Sequence, residues 1–155
     1  MNATAAIDAM MLSQPMGYGV RLSGGRYRYA RHIALLSERI AYHIRRGDGR
    51  LIVAMPPRHG KSETVSHYTP VWALDQWPEM RVILCSYEAS FARSWGRKVR
   101  NTVQEHADVL RVRIAEDSQA AEGWQTTAGG GMHTAGAGGP ITGKGADLLI
   151  VDDPF

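Results

Sequence analysis

A mostly parallel sheet flanked by helices, in an α/β fold, is what the sequence predicts, on three observations. An apolar stretch at 51–55 runs into a short loop containing glycine and then into a segment able to begin a helix. A second apolar stretch at 148–151 has no polar alternation, which suits a strand buried on both faces of a parallel sheet. A third, at 82–87, is followed by a long segment of helical periodicity, as expected when strands and helices alternate.

Each element has a local reason. Residues 1–25 mix Ala, Met, Gly and Ser without a sustained period and read as a flexible N-terminal tail, leaving 26–155 for the folded unit. Over 29–46, Ile33, Leu36, Ile40 and Ile44 recur at helical spacing. Arg45 and Arg46 suit the final turn of that helix, and Gly47-Asp48-Gly49 ends it. Residues 51–55 form the first central strand. The helix that follows Lys61 is expected to kink or end near Pro70, and Pro78 closes the segment before the strand at 82–87. Over 88–107 a helix places Phe91, Trp95, Val99 and Val103 on a core stripe. Its other face carries Arg93, Arg97, Lys98 and Arg100, and reads as solvated surface in preference to a DNA contact. Trp124, the glycines 129–131 and the Met-His-Thr-Ala that follows read as a β-hairpin with a loose turn.

The chemistry concentrates in two places. Leu51-Ile-Val-Ala-Met-Pro-Pro-Arg-His-Gly-Lys-Ser-Glu63 has the layout of a phosphate-binding loop, or Walker A motif. Backbone N–H groups at a helix N-terminus converge on one spot, where an anion meets both the donors and the helix dipole. Met55 stands where the first glycine of such loops is usual, and Pro56 and Pro57 have no N–H to offer. The cradle therefore falls to Arg58, His59, Gly60, Lys61 and Ser62, with Glu63 closing the binding segment. Lys61 would reach the β- and γ-phosphates of ATP, and the Ser62 hydroxyl would ligate Mg²⁺. Arg58 is a candidate for the γ-phosphate; His59 is expected to serve through its backbone and not its ring.

The second place is Asp147-Leu-Leu-Ile-Val-Asp-Asp-Pro-Phe155, a Walker B candidate. Carboxylates at the C-terminal end of a parallel strand sit where ligands bind in open α/β sheets. Asp152 is the natural Mg²⁺ partner, and Asp153 could orient and deprotonate an attacking water. Asp-Asp-Pro is also ordinary turn chemistry; its pairing with Gly60-Lys61-Ser62 favours the catalytic reading.

Four phrases, Met55-Pro-Pro-Arg-His-Gly-Lys-Ser-Glu63, Cys85-Ser-Tyr-Glu-Ala-Ser-Phe-Ala92, Thr142-Gly-Lys-Gly-Ala-Asp147 and Leu149-Ile-Val-Asp-Asp-Pro154, resemble the large terminase subunit of tailed bacteriophages. The resemblance covers residues from about 30 onward. It implies a P-loop NTPase of the additional-strand type, an ATPase that drives double-stranded DNA into a procapsid. It also implies a homo-oligomeric ring, a portal protein and a small terminase subunit as partners, and action in the host cytoplasm rather than as a stable part of the virion. By the same resemblance Lys144 occupies the place of a cation that reaches a neighbouring subunit's ATP, where Arg is common. The family's second acid is often Glu where this chain has Asp153, so the base assignment stays open. Tyr27, Tyr29 or Arg31 could stack on adenine, or serve as surface residues at a helix start.

The resemblance further implies that a later coupling motif, an inserted strand and a nuclease lie beyond Phe155. The 26–155 unit is thus expected to be a partial ATPase domain, truncated after the Walker B strand. Left alone, it is expected to be poorly stable and to show little turnover. A helicase or kinase of another phosphate-loop family, or a non-catalytic prophage remnant that binds nucleotide, are the competing readings.

Composition bounds the rest. A chain of 155 residues fits one domain. The formal net charge is +3, and 15 of the 18 basic residues are Arg, a bias that genome composition explains as readily as phosphate binding. A single cysteine, Cys85, excludes an internal disulfide. No apolar stretch approaches the ~18–20 residues needed to cross a bilayer, no signal peptide is evident, and the histidines show no metal-ligand spacing.

Overall fold

Among the described residues, five strands form one sheet: β1 Arg81–Ser86, β2 Ile114–Gln119, β3 Gly123–Thr126, β4 Gly131–Gly136 and β5 Leu148–Val151. The computed structural model describes residues 8–9, 11–120, 122–139 and 143–154. The readings that fall on 1–7 and 10, on Thr142 and on Phe155 lie outside the described residues. The strand order is β2-β3-β4-β1-β5. β1 pairs in parallel with both β4 and β5, β3 pairs antiparallel with β4 and β2 antiparallel with β3, so only β3 points the other way. The β3–β4 hairpin is the one expected from the glycine-rich segment. Strand β2 had no clear signal in the sequence.

Among the described residues, the helices α1 Pro15–Leu22, α2 Arg31–Arg46, α3 Thr69–Gln76 and α4 Ala89–Glu105 accompany the sheet. None of the described helices is long and apolar enough to cross a membrane. Helix α2 stops as expected at Gly47, whose left-handed φ of 80° lets its N–H bond back to the carbonyls of His43 and Ile44. One face of the sheet, through Val82, Leu84, Met132 and Ile150, packs with Trp72 and Leu74 of α3 and Val99 and Val103 of α4. The other face carries a smaller cluster of Ile83, Cys85 and Ala135.

Five expectations need correction. The run 148–151 forms a strand but is not buried on both faces: β5 is an edge strand, with Leu149 59% and Val151 55% exposed. Residues 51–55 do not form a strand: they are extended but join no ladder, and Ile52 is 96% exposed. A strand exists only where a neighbour takes its backbone bonds, and the closest strand, β5, is separated from this segment by a cavity of about 590 Å³ lined by Arg50, Leu51, Val53 and 146–152. Residues 15–22, read as part of a loose tail, are a helix whose Met16, Tyr18 and Leu22 are buried. Its helix propensity is low, so tertiary contacts decide: the Tyr18 hydroxyl donates to Asp75 Oδ2 at 2.6 Å and the Met16 N–H to Ser37 Oγ at 2.8 Å. In α4 the core stripe is rotated: Phe91 is 41% exposed, while Ala92, Gly96, Val99 and Val103 face inward.

The last concerns Pro70, and corrects only the alternative of an ending there. The helix that begins at Lys61 neither ends nor breaks there; it widens into a π-turn over Glu63–Tyr68 and continues as α3. In an α-helix the Pro70 ring would press on the carbonyl of Ser66 and leave it without a donor. The wider turn relieves that clash. The N–H of Thr69 reaches back five residues to the carbonyl of Thr64, and Thr69 Oγ1 donates to the same oxygen at 2.7 Å.

Asp75, buried in α3, also accepts the N–H groups of Arg111 and Val112 on Oδ1, at 2.6 and 3.1 Å. Tyr18→Phe should cost about 1–2 kcal/mol in urea denaturation by removing one donor, and Asp75→Ala distinctly more by leaving three donors unmatched. Equal midpoints for the two variants would show that α1 is not anchored in this way.

Candidate functional site

The C-terminal ends of β1 and β5 form one wall of the site. Past the last ladder pair the two chains stay in register: the Asp152 N–H donates to the Cys85 carbonyl at 2.9 Å, and the Tyr87 N–H to the Asp153 carbonyl at 3.2 Å. The Asp152 side chain is thereby fixed in a buried position, while Asp153 projects outward with a left-handed φ of 46°. Asp tolerates that conformation better than most residues.

The loop at 56–60 and the first turn of the helix form the opposite wall. The backbone is left-handed at Arg58 and at Gly60, with φ of 63° and 85°. Alternation of this kind turns successive N–H groups to one side, as in an anion-binding nest. Gly60 is also constrained by contact, since a Cβ there would meet Ile33 Cδ1 at 3.0 Å. Its carbonyl accepts the Thr64 N–H at 3.0 Å and Thr64 Oγ1 at 2.8 Å, and Thr64 Oγ1 meets the Tyr27 hydroxyl at 2.6 Å. His32 Nε2 reaches the His59 carbonyl at 3.2 Å, and the His59 ring bonds the Pro57 carbonyl at 2.8 Å. The ring of His59 thus serves the loop itself.

Lys61 spans the two walls. Its Nζ lies 3.1 Å from Asp152 Oδ1 and donates to Asp153 Oδ1, although Lys61 and Asp153 are 92 positions apart in the chain. The bond to Asp153, with Asp152 adding and partial burial opposing, raises the Lys61 pKa. Lys61 therefore stays a cation at neutral pH. Asp152 Oδ2 accepts the hydroxyl of the fully buried Ser66 at 2.8 Å.

Behind this centre lies a second polar cluster. The Glu63 carboxylate is bonded by His67 Nδ1 at 3.0 Å and by Lys98 Nζ, and His67 Nε2 meets Thr102 Oγ1 at 2.8 Å. The hydrogen bond from His67, with Lys98 adding, outweighs burial and pulls Glu63 down to about 2. Burial pushes the His67 pKa down, so the ring is neutral at pH 7. An ionised carboxylate only accepts, so Nδ1 carries the proton and Nε2 accepts from the Thr102 hydroxyl.

Of the residues expected at the site, Gly60, Lys61, Asp152 and Asp153 come together, with Ser62 in the first helical turn beside Lys61. Arg58 is exposed on the loop, and Glu63 faces α4 instead of the carboxylate pair. Lys144 does not join them: its Nζ lies 3.1 Å from the His133 ring on β4, and the Asp147 N–H shortly after it bonds the carbonyl of Arg81, at the end of β1 remote from the site. Tyr27, considered for adenine, is engaged with Thr64 and lies edge-on to Tyr68 at 5.0 Å; Tyr29 is 62% exposed. Two of the four cations on the basic face of α4 are compensated, since Arg93 pairs with Glu122 and Lys98 with Glu63. Sequence reasoning missed Thr64, Ser66 and His67. Ser66 had one available signal, its position one turn beyond Ser62 on the same helix.

The family described as "Terminase large subunit, T4likevirus-type, N-terminal" matches residues 52–155. The chain belongs to this family and represents the N-terminal portion of a large terminase subunit. No curated protein and no solved structure is significantly similar to it.

The shifts at Glu63 and His67 act with the same sign, because both groups bind protons more readily in the unfolded chain. Stability should fall as pH drops below about 6.5, where unfolded His67 becomes charged, and again between about 4.5 and 2 as Glu63 is protonated. Urea midpoints measured across pH should show both declines, and Glu63→Gln should make the lower one distinctly smaller, the exposed Asp147 pair leaving a minor remainder. An unchanged lower decline in that variant would assign it to other carboxylates.

Proposed function

We propose that this chain is the ATP-binding and ATP-hydrolysing part of the motor that drives double-stranded DNA into a phage procapsid. The observation that carries this reading is the convergence of Lys61 with Asp152 and Asp153 at the C-terminal edge of the sheet, beside a loop twice left-handed. A lysine following such a loop, opposite an acidic pair on a neighbouring strand, is the arrangement of a phosphate-loop NTPase. Family membership supports the packaging role, with the portal protein, the small terminase subunit and a homo-oligomeric ring as its setting. The site of action would be the host cytoplasm.

The chain's own residues divide the work. The amides of 58–62 would receive the β- and γ-phosphates, and Lys61 would exchange its bond to Asp153 for the triphosphate. Ser62 and Asp152 would hold Mg²⁺; this donor set of a hydroxyl and a buried carboxylate suits a hard cation that keeps several waters. Bound there, Mg²⁺ would supply charge neutralisation across the transferred phosphoryl group. Asp153, released from Lys61 and 61% exposed, would orient the attacking water and accept its proton. Arg58 would add positive charge at the γ-phosphate.

The additional-strand reading has a physical counterpart. The cavity of about 590 Å³ between residues 50–53 and β5 is bordered by two extended apolar segments, and β5 is the edge strand of the sheet. A strand inserted there would pair with both, cover Leu149 and Val151, and draw 51–55 into the sheet as the sequence led one to expect.

Lys61→Ala should reduce binding of a fluorescent ATP analogue at least tenfold, whereas Asp153→Asn should leave binding within a few-fold and lower turnover by about 10²–10⁴ in the packaging assembly. Normal turnover in Asp153→Asn would move the base role to another acid. Lys144→Ala should lower turnover only in the assembled ring; an equal loss in isolated subunits would refute a role for Lys144 at a neighbour's site.

A further inference from the structure

The two oxygens of Asp152 have different partners. Oδ1 faces Lys61 Nζ at 3.1 Å, and Oδ2 accepts Ser66 Oγ at 2.8 Å. Asp152 is 3% exposed and Ser66 fully buried, so solvent does not compete for the bond between them. A serine within a helix commonly turns its hydroxyl back onto the carbonyl four residues earlier; Ser66 instead donates across to a different element. A carboxylate is otherwise broadly free to rotate about its last torsion. With Oδ2 tied to Ser66, that freedom is lost and Oδ1 is presented toward Lys61.

The placement of Ser66 depends on the local backbone. Ser66 lies within the π-turn Glu63–Tyr68, and its carbonyl is the one that Pro70 would clash with and leave unbonded in a regular α-helix. Such widened turns are frequently found at functional sites. On the same turn, His67 and Glu63 are directed to Thr102 and Lys98, leaving Ser66 as the hydroxyl bonded to Asp152.

We propose that Ser66 is a positioning residue for Asp152: its hydroxyl holds Oδ2 so that Oδ1 is aimed at the point where Lys61 and a divalent cation would meet. The proposal rests on the nucleotide reading given above. A partner that fixes the orientation of a ligating carboxylate is worth about 10–100-fold in metal affinity. Ser66 would thus act on the cation through Asp152 without touching the nucleotide.

The test compares the affinity of the 155-residue chain for a fluorescent ATP analogue in EDTA and in saturating Mg²⁺ or Mn²⁺. The ratio of the two affinities measures the metal's contribution. Ser66→Ala should lower that ratio about tenfold while leaving the EDTA affinity unchanged. Ser66→Thr, which keeps the hydroxyl, should restore it. Should Ser66→Ala fail to fold, Ser66→Cys, close in size but a weak donor, carries the test and should lower the ratio at least threefold. An unchanged ratio overturns the proposal. So does an equal loss of both affinities together with a lowered melting temperature, since that marks a purely structural role. Lys61→Ala is the control for the underlying reading: if it binds the analogue as well as the parent chain does, the nucleotide site is wrong and the Ser66 proposal falls with it.

Discussion

Parallel pairing between β1 and β5 is the constraint on which the candidate site depends. Their register pairs Cys85 with Val151 and so carries Asp152 just past the end of the ladder, where the bond from its amide to the Cys85 carbonyl fixes it. Only with that strand in place does a carboxylate stand opposite Lys61. At its other end the register is pinned by Arg81, whose guanidinium and amide both bind Asp147. Arg81 holds the Asp147 pKa down, although the pair is exposed and adds more to alignment than to stability. The strand is thus located by a salt bridge before it and by main-chain bonds after it.

A second level of organisation keeps the helix beneath the loop in place. Thr64 links Gly60 to Tyr27, and Tyr27 in turn lies against Tyr68 and Gly19, so the N-terminal residues brace the loop from behind. Glu63 and His67 tie the same helix to α4 through Lys98 and Thr102. A charge-bearing helix surface has in this way been drawn into internal pairing. That accounts for why α4 offers less free positive charge than its composition suggests.

Much of this was legible in the sequence, for identifiable reasons. The glycine that ends α2 is a local signal that the surroundings do not overrule, and the apolar run 148–151 marks a strand; its burial on both faces was not legible, because that depends on a neighbour at the edge of β5. The Lys61–Asp152 pairing was legible because reading the two motifs as one site requires them to meet. Residues 51–55 misled because periodicity reports a preference for extended backbone and says nothing about whether a partner strand is present. Helix α1 misled in the opposite sense: its sequence, rich in Gly and Met, has little local preference, and burial of Met16 and Tyr18 decides its structure. Ser66 and Thr64 were invisible because hydroxyls are common in helices, and their role appears only when an acceptor from another element is placed beside them.

The wide turn between the loop and α3 has one more consequence. A π-turn accommodates what amounts to one residue beyond an α-helical turn, so side chains before and after it need not share a single angular phase. Trp72 and Leu74 can take the rotation that fills the interior, while Lys61 and Ser66 take the one that faces Asp152. The helix therefore behaves as two gears on one axle with an adjustable coupling.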